Sequence, residues 1–365
     1  MNDNNIKALL ILGSYLDTLG FYNGNWEFNF NNKPITLKEA MLVQNEIINN
    51  YYSLGGDKIN ISKWNASDDT IMMIATKLAC DKNGSYNDFR NEYLNILDKL
   101  KENKRASGYT TLNSLELLQK NKKIKYNKYM GGNGAAMRTA YIGIKYKDDI
   151  DALIEKSILS SRITHNFPLG FLGGLVTALF TSYAIKNINP FEWGKELVKL
   201  EKSGKIDKYM KTTDIYQDYK KDKYKFFSLW FRYVEQRLER FSLKSREFLF
   251  GADRYNDLLN YTPGVKASGK NDFSKFASTG VGATIVAYDA LLMSIMSVSP
   301  KIDKIESLNY NWNSLIFYST LHFGDNDSTG IIAGNWYGAL RGFKDFDINK
   351  KNNIIEQLEF KDYFI

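Results

Sequence analysis

The sequence predicts an all-α protein organised as one compact multi-helix domain. Apolar residues recur at helical spacing along most of the chain, and no run of alternating strands with hairpin turns competes. No Pro-, Ser- or Gly-rich linker divides the 365 residues, which include only 5 prolines. Length alone would suggest about two domains. With 44% hydrophobic residues, however, a single sizeable core is available.

The elements follow in chain order. The apolar stretch "IKALLILGSYLDTLGF" reads as a first core helix. Asp17 interrupts it, and neither a basic leader nor a small-residue cleavage site frames it as a secretory signal. In "WNASDDTIMMIATKLA", Ser67 caps a helix that starts with Asp68 and Asp69 and aligns Ile71, Ile74, Ala75 and Leu78 on one face. Tyr93/Leu94/Leu97/Leu100 and Leu153/Ile154/Ile158 trace two more apolar faces, and Phe227/Trp230/Phe231/Val234/Leu238 another. Between them, "LQKNKKIKYNK" reads as solvated surface.

Phe167 to Ile185 approaches the length of a membrane span. Its glycines, threonines and Ser182 suit close helix packing, and no flanking basic cluster or second span supports insertion, so a buried central helix is expected. From about 242 to 276, Gly251, "YTPGVKASGKND" and few periodic apolar residues read as a long loop or insertion within the single 1–365 domain. The last long helix is announced by Ser328 and Thr329 as capping-type residues, followed by Ile331, Ile332, Trp336 and Leu340.

Composition narrows the partners. A net charge of +8 suits an anionic ligand, but no basic run is concentrated enough for a nucleic-acid groove. Cys80 is the only cysteine, which excludes an intrachain disulfide, and there is no Cys/His zinc pattern. A cytoplasmic monomer with no membrane association is the expectation.

The chemistry concentrates in acids. Asp325 and Asp327 stand two residues apart at a helix start. A helix N-terminus stabilises a carboxylate by only about 0.3–1 kcal/mol, whereas two charges ~4 Å apart at an effective dielectric of ~20 repel by about 4 kcal/mol. Ser67, Asp68 and Asp69 repeat the design upstream. Either these are two unrelated caps, or four carboxylates face one another and bind cations. Oxygen-only ligands suit Mg²⁺, Mn²⁺ or Ca²⁺ rather than zinc or copper. A third segment, Gly131, Gly132, Asn133 and Gly134 before a helix expected near Ala135, reads either as a phosphate cradle or as a tight connection.

Taken in order, "SDDT", "GGNGAAMR", "RITHNFP" and "GDNDSTG" resemble the ADP-ribosylglycohydrolase family, also called the dinitrogenase-reductase-activating glycohydrolase family. "LDTLGFYNGNWEF", "THNFPLGFLGGLVTALFTSYA" and "IVAYDALL" are similar to its ADP-ribosylarginine hydrolase branch, and the likeness runs from about residue 8 to 343. The resemblance implies an orthogonal helix bundle with two Mg²⁺, or Mn²⁺, in a cleft between helix N-termini. Ser67, Asp68 and Asp69 would be ligands on one side, with Asp325, Asp327 and Ser328 on the other.

The implied reaction is hydrolysis of the N-glycosidic bond of ADP-ribosylated arginine in a protein, releasing ADP-ribose. Asp69, Asp327 and Glu27 would be catalytic. Asn23, Gly131, Gly132, Asn133, Gly134, Ala135, Ala136, Met137 and His165 would bind substrate, with Gly131 to Ala136 around the diphosphate. His322 would orient Asp325 or pack beneath it. The Met72, Met73 and Met137 side chains are expected in the core.

The sequence also departs from the family. Leu16 and Phe323 stand where the family has glycine, and "ASTGVGATIVAYDA" lacks the His and Asp of the branch's Gly-His-Asp-Ala-Pro run. Two rival expectations follow: hydrolysis of another ADP-ribosyl linkage, such as O-linked serine, or a non-catalytic ADP-ribose-binding or structural member.

Overall fold

Backbone contact between the first and last long helices organises the molecule. The computed structural model describes residues 3–27, 33–102, 104–242, 251–263, 266–267, 270–297, 299 and 304–364. Six helices build the site: α1 (Asp3–Phe21), α2 (Asp68–Lys82), α3 (Tyr109–Gln119), α4 (Pro168–Ile185), α5 (Gly280–Met296) and α6 (Asn326–Arg341). Gly330, Gly334 and Gly338 recur every fourth residue and so share one face of α6. A Cβ on each would lie 2.7 Å from Leu16 O, 2.6 Å from Leu12 O and 2.5 Å from Ala8 O respectively. The partners descend as the glycines ascend, so α1 and α6 run antiparallel with their backbones touching. Gly20 extends the seam, because a Cβ there would meet Asn326 O at 2.5 Å.

The apolar stretch α4 is the buried central helix the sequence predicts. Its Phe180 ring lies 5.1 to 5.5 Å from the rings of Trp193, Trp230, Tyr288 and Trp336, so aromatic burial from four other segments converges on it. Buried apolar side chains from Ala8 to Phe364 form one contiguous core. The strand pairing among the described residues is a two-residue hairpin, Lys266–Ala267 with Lys270–Asn271, and an isolated bridge from Gly132 to Thr279.

Several local expectations need correction. The apolar face of Tyr93 to Leu100 is split between helices Tyr86–Asn95 and Leu97–Leu100. The face from Phe227 to Leu238 passes from an α-helix into a π turn at Tyr233–Arg237, which places both Tyr233 and Arg237 on the buried Asp289. In the stretch read as a loop, 243–250, 264–265 and 268–269 lie outside the described residues. Gly251–Leu258 is helical, held down by Arg254 Nε on Asp289 (2.7 Å) and by Tyr255, whose hydroxyl accepts from Gln44 (2.6 Å).

Beyond Gly134 there is no regular helix at Ala135. The chain takes a 3₁₀ turn, Ala136–Arg138, before a six-residue helix, Ala140–Lys145, because buried Arg138 caps Gly134 O and Ser160 O from inside the turn. Phe323, where the family has glycine, packs in a ring cluster with Tyr255, Phe273 and Phe276.

Candidate active site

The acids meet because two helix starts meet. Ser67 is the N-cap of α2, its Oγ accepting the Asp69 N–H at 3.1 Å, which leaves Asp68 and Asp69 in the first turn. At α6 the cap is Asp325 rather than Ser328 or Thr329, which lie inside the first turn. Thr329 bonds back to Asp325 O, and Asp327 accepts the Ser328 N–H at 2.8 Å.

Between the two starts lies a cavity of about 220 Å³. Asp68, Asp69, Asp325, Asp327, Ser328 and Glu27 line it, joined by Gly132, Asn133, Gly134, Met137 and His165. Every one of these residues is among those the sequence singles out. Five of the expected residues do not reach the cavity wall. Ser67 is turned toward Asp17; the Asn23 side chain accepts the Asn65 N–H at 2.8 Å; Gly131 is pressed against Leu169 and Phe167; Ala135 and Ala136 are buried.

The electrostatics are one-sided. Asp17, Asp69 and Asp327 each offer a carboxylate oxygen within 4.8 Å of the others, and so do Glu27, Asp325 and Asp327. Among the described residues, none of these acids, nor Asp68, forms an ion pair. Burial first, and the neighbouring carboxylates second, push the Asp17 carboxyl up to about 7 and that of Asp68 up to about 8. The same two causes hold Asp69 and Glu27 well above the carboxylate range, and burial with Asp325 does so for Asp327.

Asp69 Oδ2 and Asp325 Oδ1 are buried without a hydrogen-bond partner. Buried acceptors left unpaired are costly. Oxygen donors, mutual crowding and two orphaned lone-pair sites fit a hard divalent cation.

Asn133 ties the glycine loop to this centre, donating to Asp325 Oδ2 at 2.7 Å and to Ala277 O at 3.1 Å. His165 explains two of the glycines without any ligand, since a Cβ on Gly134 would lie 2.7 Å from its Cε1 and one on Gly132 3.3 Å from its Nε2. Burial drives the imidazole down to about 3, so His165 lines the cavity neutral, with Nδ1 at 2.8 Å from Thr164 Oγ1. His322 does not touch the Asp325 side chain. Its Nδ1 accepts the Gly324 N–H and its Nε2 therefore donates to Thr329 Oγ1, so it braces the turn before α6.

Sequence reading missed Asp17, the Ala106–Thr111 wall and Ser278. The signal for Asp17 was an acid inside an otherwise apolar helix. Ser278 gave none, because it arrives through the Gly131 O to Gly280 N bond (3.1 Å) that stitches two distant loops. The lysine-rich tract lies largely exposed, as the sequence predicts, and it also lines a groove. Lys122, Lys123, Ile124, Lys125 and Tyr126 wall a groove of about 730 Å³ that shares Tyr109 and Thr110, at the start of α3, with the acidic cavity.

The sequence profile of the ADP-ribosylglycohydrolase family matches residues 3–363. The chain belongs to this family. A Dictyostelium discoideum protein named ADP-ribosylhydrolase ARH1 is 34% identical over 94% of this chain and 88% of its own length. A protein of Acanthamoeba polyphaga mimivirus, provisionally named ADP-ribosyl glycohydrolase L444, is 31% identical over 92% of this chain and 64% of its own. A solved structure described as an ADP-ribosylglycohydrolase-related protein complex superposes over all of both chains with a TM-score of 0.48 at 14% identity. Membership gives the reaction class, hydrolysis at an ADP-ribosyl group.

Proposed function

We propose that the protein hydrolyses the N-glycosidic bond between ADP-ribose and an arginine side chain, using Mg²⁺, or Mn²⁺ in its place, held by Ser67, Asp68, Asp69, Asp325, Asp327 and Ser328. The observation that carries this reading is the ring of carboxylates around one cavity with two orphaned oxygens and, among the described residues, no balancing protein cation on its wall. Such a site welcomes a cationic guanidinium acceptor more than a neutral serine ether. The "YNGNWEF" motif, which brings Glu27 to the cavity, points to the same linkage. The ADP portion would occupy the lysine- and tyrosine-walled groove next door, where Lys122 and Lys125 offer positive charge and Tyr109 and Tyr129 expose ring faces.

When bound, the cation neutralises the acids and orders ribose hydroxyls and a water. The chain's own residues supply the rest. Breaking the bond from ribose C1 to the guanidine nitrogen sends the electron pair to nitrogen and leaves oxocarbenium character at C1. The surrounding carboxylates stabilise that developing positive charge. Glu27, whose burial raises its proton affinity, gives its proton to the departing nitrogen. Asp69 or Asp327 takes the proton of the water that attacks C1. His165, neutral, closes the wall beside the glycine loop.

The test is release of ADP-ribose from matched arginine-linked and serine-linked ADP-ribosylated peptides, with Mg²⁺ and with chelator. Chelator-sensitive cleavage of the arginine peptide alone supports the reading. Cleavage of the serine peptide transfers the assignment to another linkage, and binding of ADP-ribose without any cleavage overturns catalysis.

A further inference from the structure

Asp17 belongs to the acidic cluster yet does not line the cavity. It is fully buried in the last turns of α1, and both of its oxygens are engaged. Oδ1 accepts the Ser67 hydroxyl at 2.5 Å, while Oδ2 accepts the Thr70 hydroxyl and, at 3.3 Å, the Thr70 N–H. Three residues further along, the bare backbone of Gly20 lies against the other acidic helix, where a Cβ would meet Asn326 O at 2.5 Å and Asp327 N at 2.9 Å. One short span of α1 therefore grips the start of α2 through a side chain and abuts the start of α6 through its main chain. The glycine seam beneath fixes its register.

We propose that Asp17 is a positioning residue that sets the separation of the two acidic helix starts and the orientation of the Ser67 hydroxyl between them. The proposal rests on the divalent-cation reading above. Ser67 has one hydroxyl hydrogen and two carboxylates within its influence, Asp17 and Asp327. In its ionised form Asp17 can only accept, so it draws the hydrogen to itself and leaves Ser67 Oγ facing Asp327 with a lone pair. Lone pair against carboxylate is unfavourable unless a cation lies between them. Asn at 17 could accept on one side only, and its amide would turn a donor toward either Ser67 or Thr70. In the first case the Ser67 hydrogen would swing toward Asp327, where it competes with the cation.

The experiment titrates Mn²⁺ into the full-length wild-type protein, Asp17→Asn and Thr70→Val, following free Mn²⁺ by electron paramagnetic resonance and bound heat by calorimetry. Outer groups that orient metal ligands typically contribute 10–100-fold in affinity. Asp17→Asn is expected to weaken Mn²⁺ binding by that range. Thr70→Val, which keeps the Asp17 charge and removes one of its two hydroxyl donors, is expected to weaken it by several-fold.

A purely structural role would lower the melting temperature of both variants and leave Mn²⁺ affinity in place. The positioning role instead lowers Mn²⁺ affinity in both variants, whatever their melting temperatures. Wild-type affinity in both variants overturns the proposal. Loss in Asp17→Asn with wild-type affinity in Thr70→Val also overturns it, by making Asp17 a ligand. If Asp17→Asn does not fold, Thr70→Val decides alone. Failure of the wild-type protein to bind Mn²⁺ would instead sink the cation reading itself.

Discussion

Raising the pH of the metal-free protein from 5 to 8 ionises carboxyls that the fold has crowded together. Three oxygens within 4.8 Å of one another, on Asp17, Asp69 and Asp327, repel by about 3.5 kcal/mol per pair at an effective dielectric of ~20. Full ionisation of that trio would cost about 10 kcal/mol, comparable to the whole stability of an ordinary domain. Protons relieve it. Asp17 and Asp68, held at about 7 and about 8, bind their protons more tightly folded than unfolded. The folded state therefore carries extra protons above the ordinary carboxylate range, and stability falls as pH rises toward those values.

For Asp17 alone, the loss between pH 5 and pH 8 is on the order of 2–3 kcal/mol. At about 2.1 cal/mol/K of unfolding entropy per residue, this 365-residue chain shifts by roughly 1.3 °C per kcal/mol, giving a fall of about 3 °C. Mg²⁺ at a hundred times its dissociation constant should restore about 2.7 kcal/mol at pH 8. It should restore far less at pH 5, where protons hold the same oxygens. Scanning calorimetry of chelator-treated protein at pH 5, 6, 7 and 8, with and without Mg²⁺, measures both effects. A metal-free melting temperature that is flat or rising over that range, together with no Mg²⁺ response at pH 8, would refute the reasoning.

Four further outcomes are expected. Asp69→Asn and Asp327→Asn should each abolish ADP-ribose release while circular dichroism stays wild-type, since both side chains face the cavity rather than the apolar core; retained turnover in either would remove it from the mechanism. Glu27→Gln should cut the turnover rate by about 10²–10⁴-fold, the usual worth of a positioned proton donor, with ADP-ribose affinity changed far less, as separate kinetic and calorimetric measurements would show. Gly334→Ala puts a methyl 2.6 Å from Leu12 O and should cost about 1–3 kcal/mol in urea denaturation, with Mg²⁺ still bound. Asp289→Asn leaves the buried Arg237 and Arg254 without their shared carboxylate, at 2.5 and 2.7 Å, and should destabilise by about 3–5 kcal/mol in the same assay.

Much of the site was legible because its chemistry is local. Ser67 with Asp68 and Asp69, and Asp325 with Asp327, advertise helix starts and excess negative charge within a few consecutive residues, and the structure puts both clusters on one cavity. Glu27 and His165 required the family resemblance, since an isolated acid or imidazole has no local signature. Ser328 and Thr329 announce the start of α6 by their capping chemistry but lie inside its first turn, and Asp325 occupies the non-helical cap position. The helix expected after Gly134 failed for a tertiary reason, a buried Arg138 that pins the turn to Ser160 from another segment.

Helical character, the apolar centre at Pro168–Ile185 and the two acidic pairs can be read from the chain's residues in order, because spacing, hydrophobicity and charge act over one or two turns. That Asp17 joins the acids and that Asn133 bridges to Asp325 follows instead from long-range packing. The exposed lysine-rich tract walls a groove beside the cavity through the same long-range packing. Those facts depend on contacts between residues up to hundreds of positions apart. The Asp17 contact exists because glycines on α6 let α1 approach to backbone distance, a fit that no window of sequence contains.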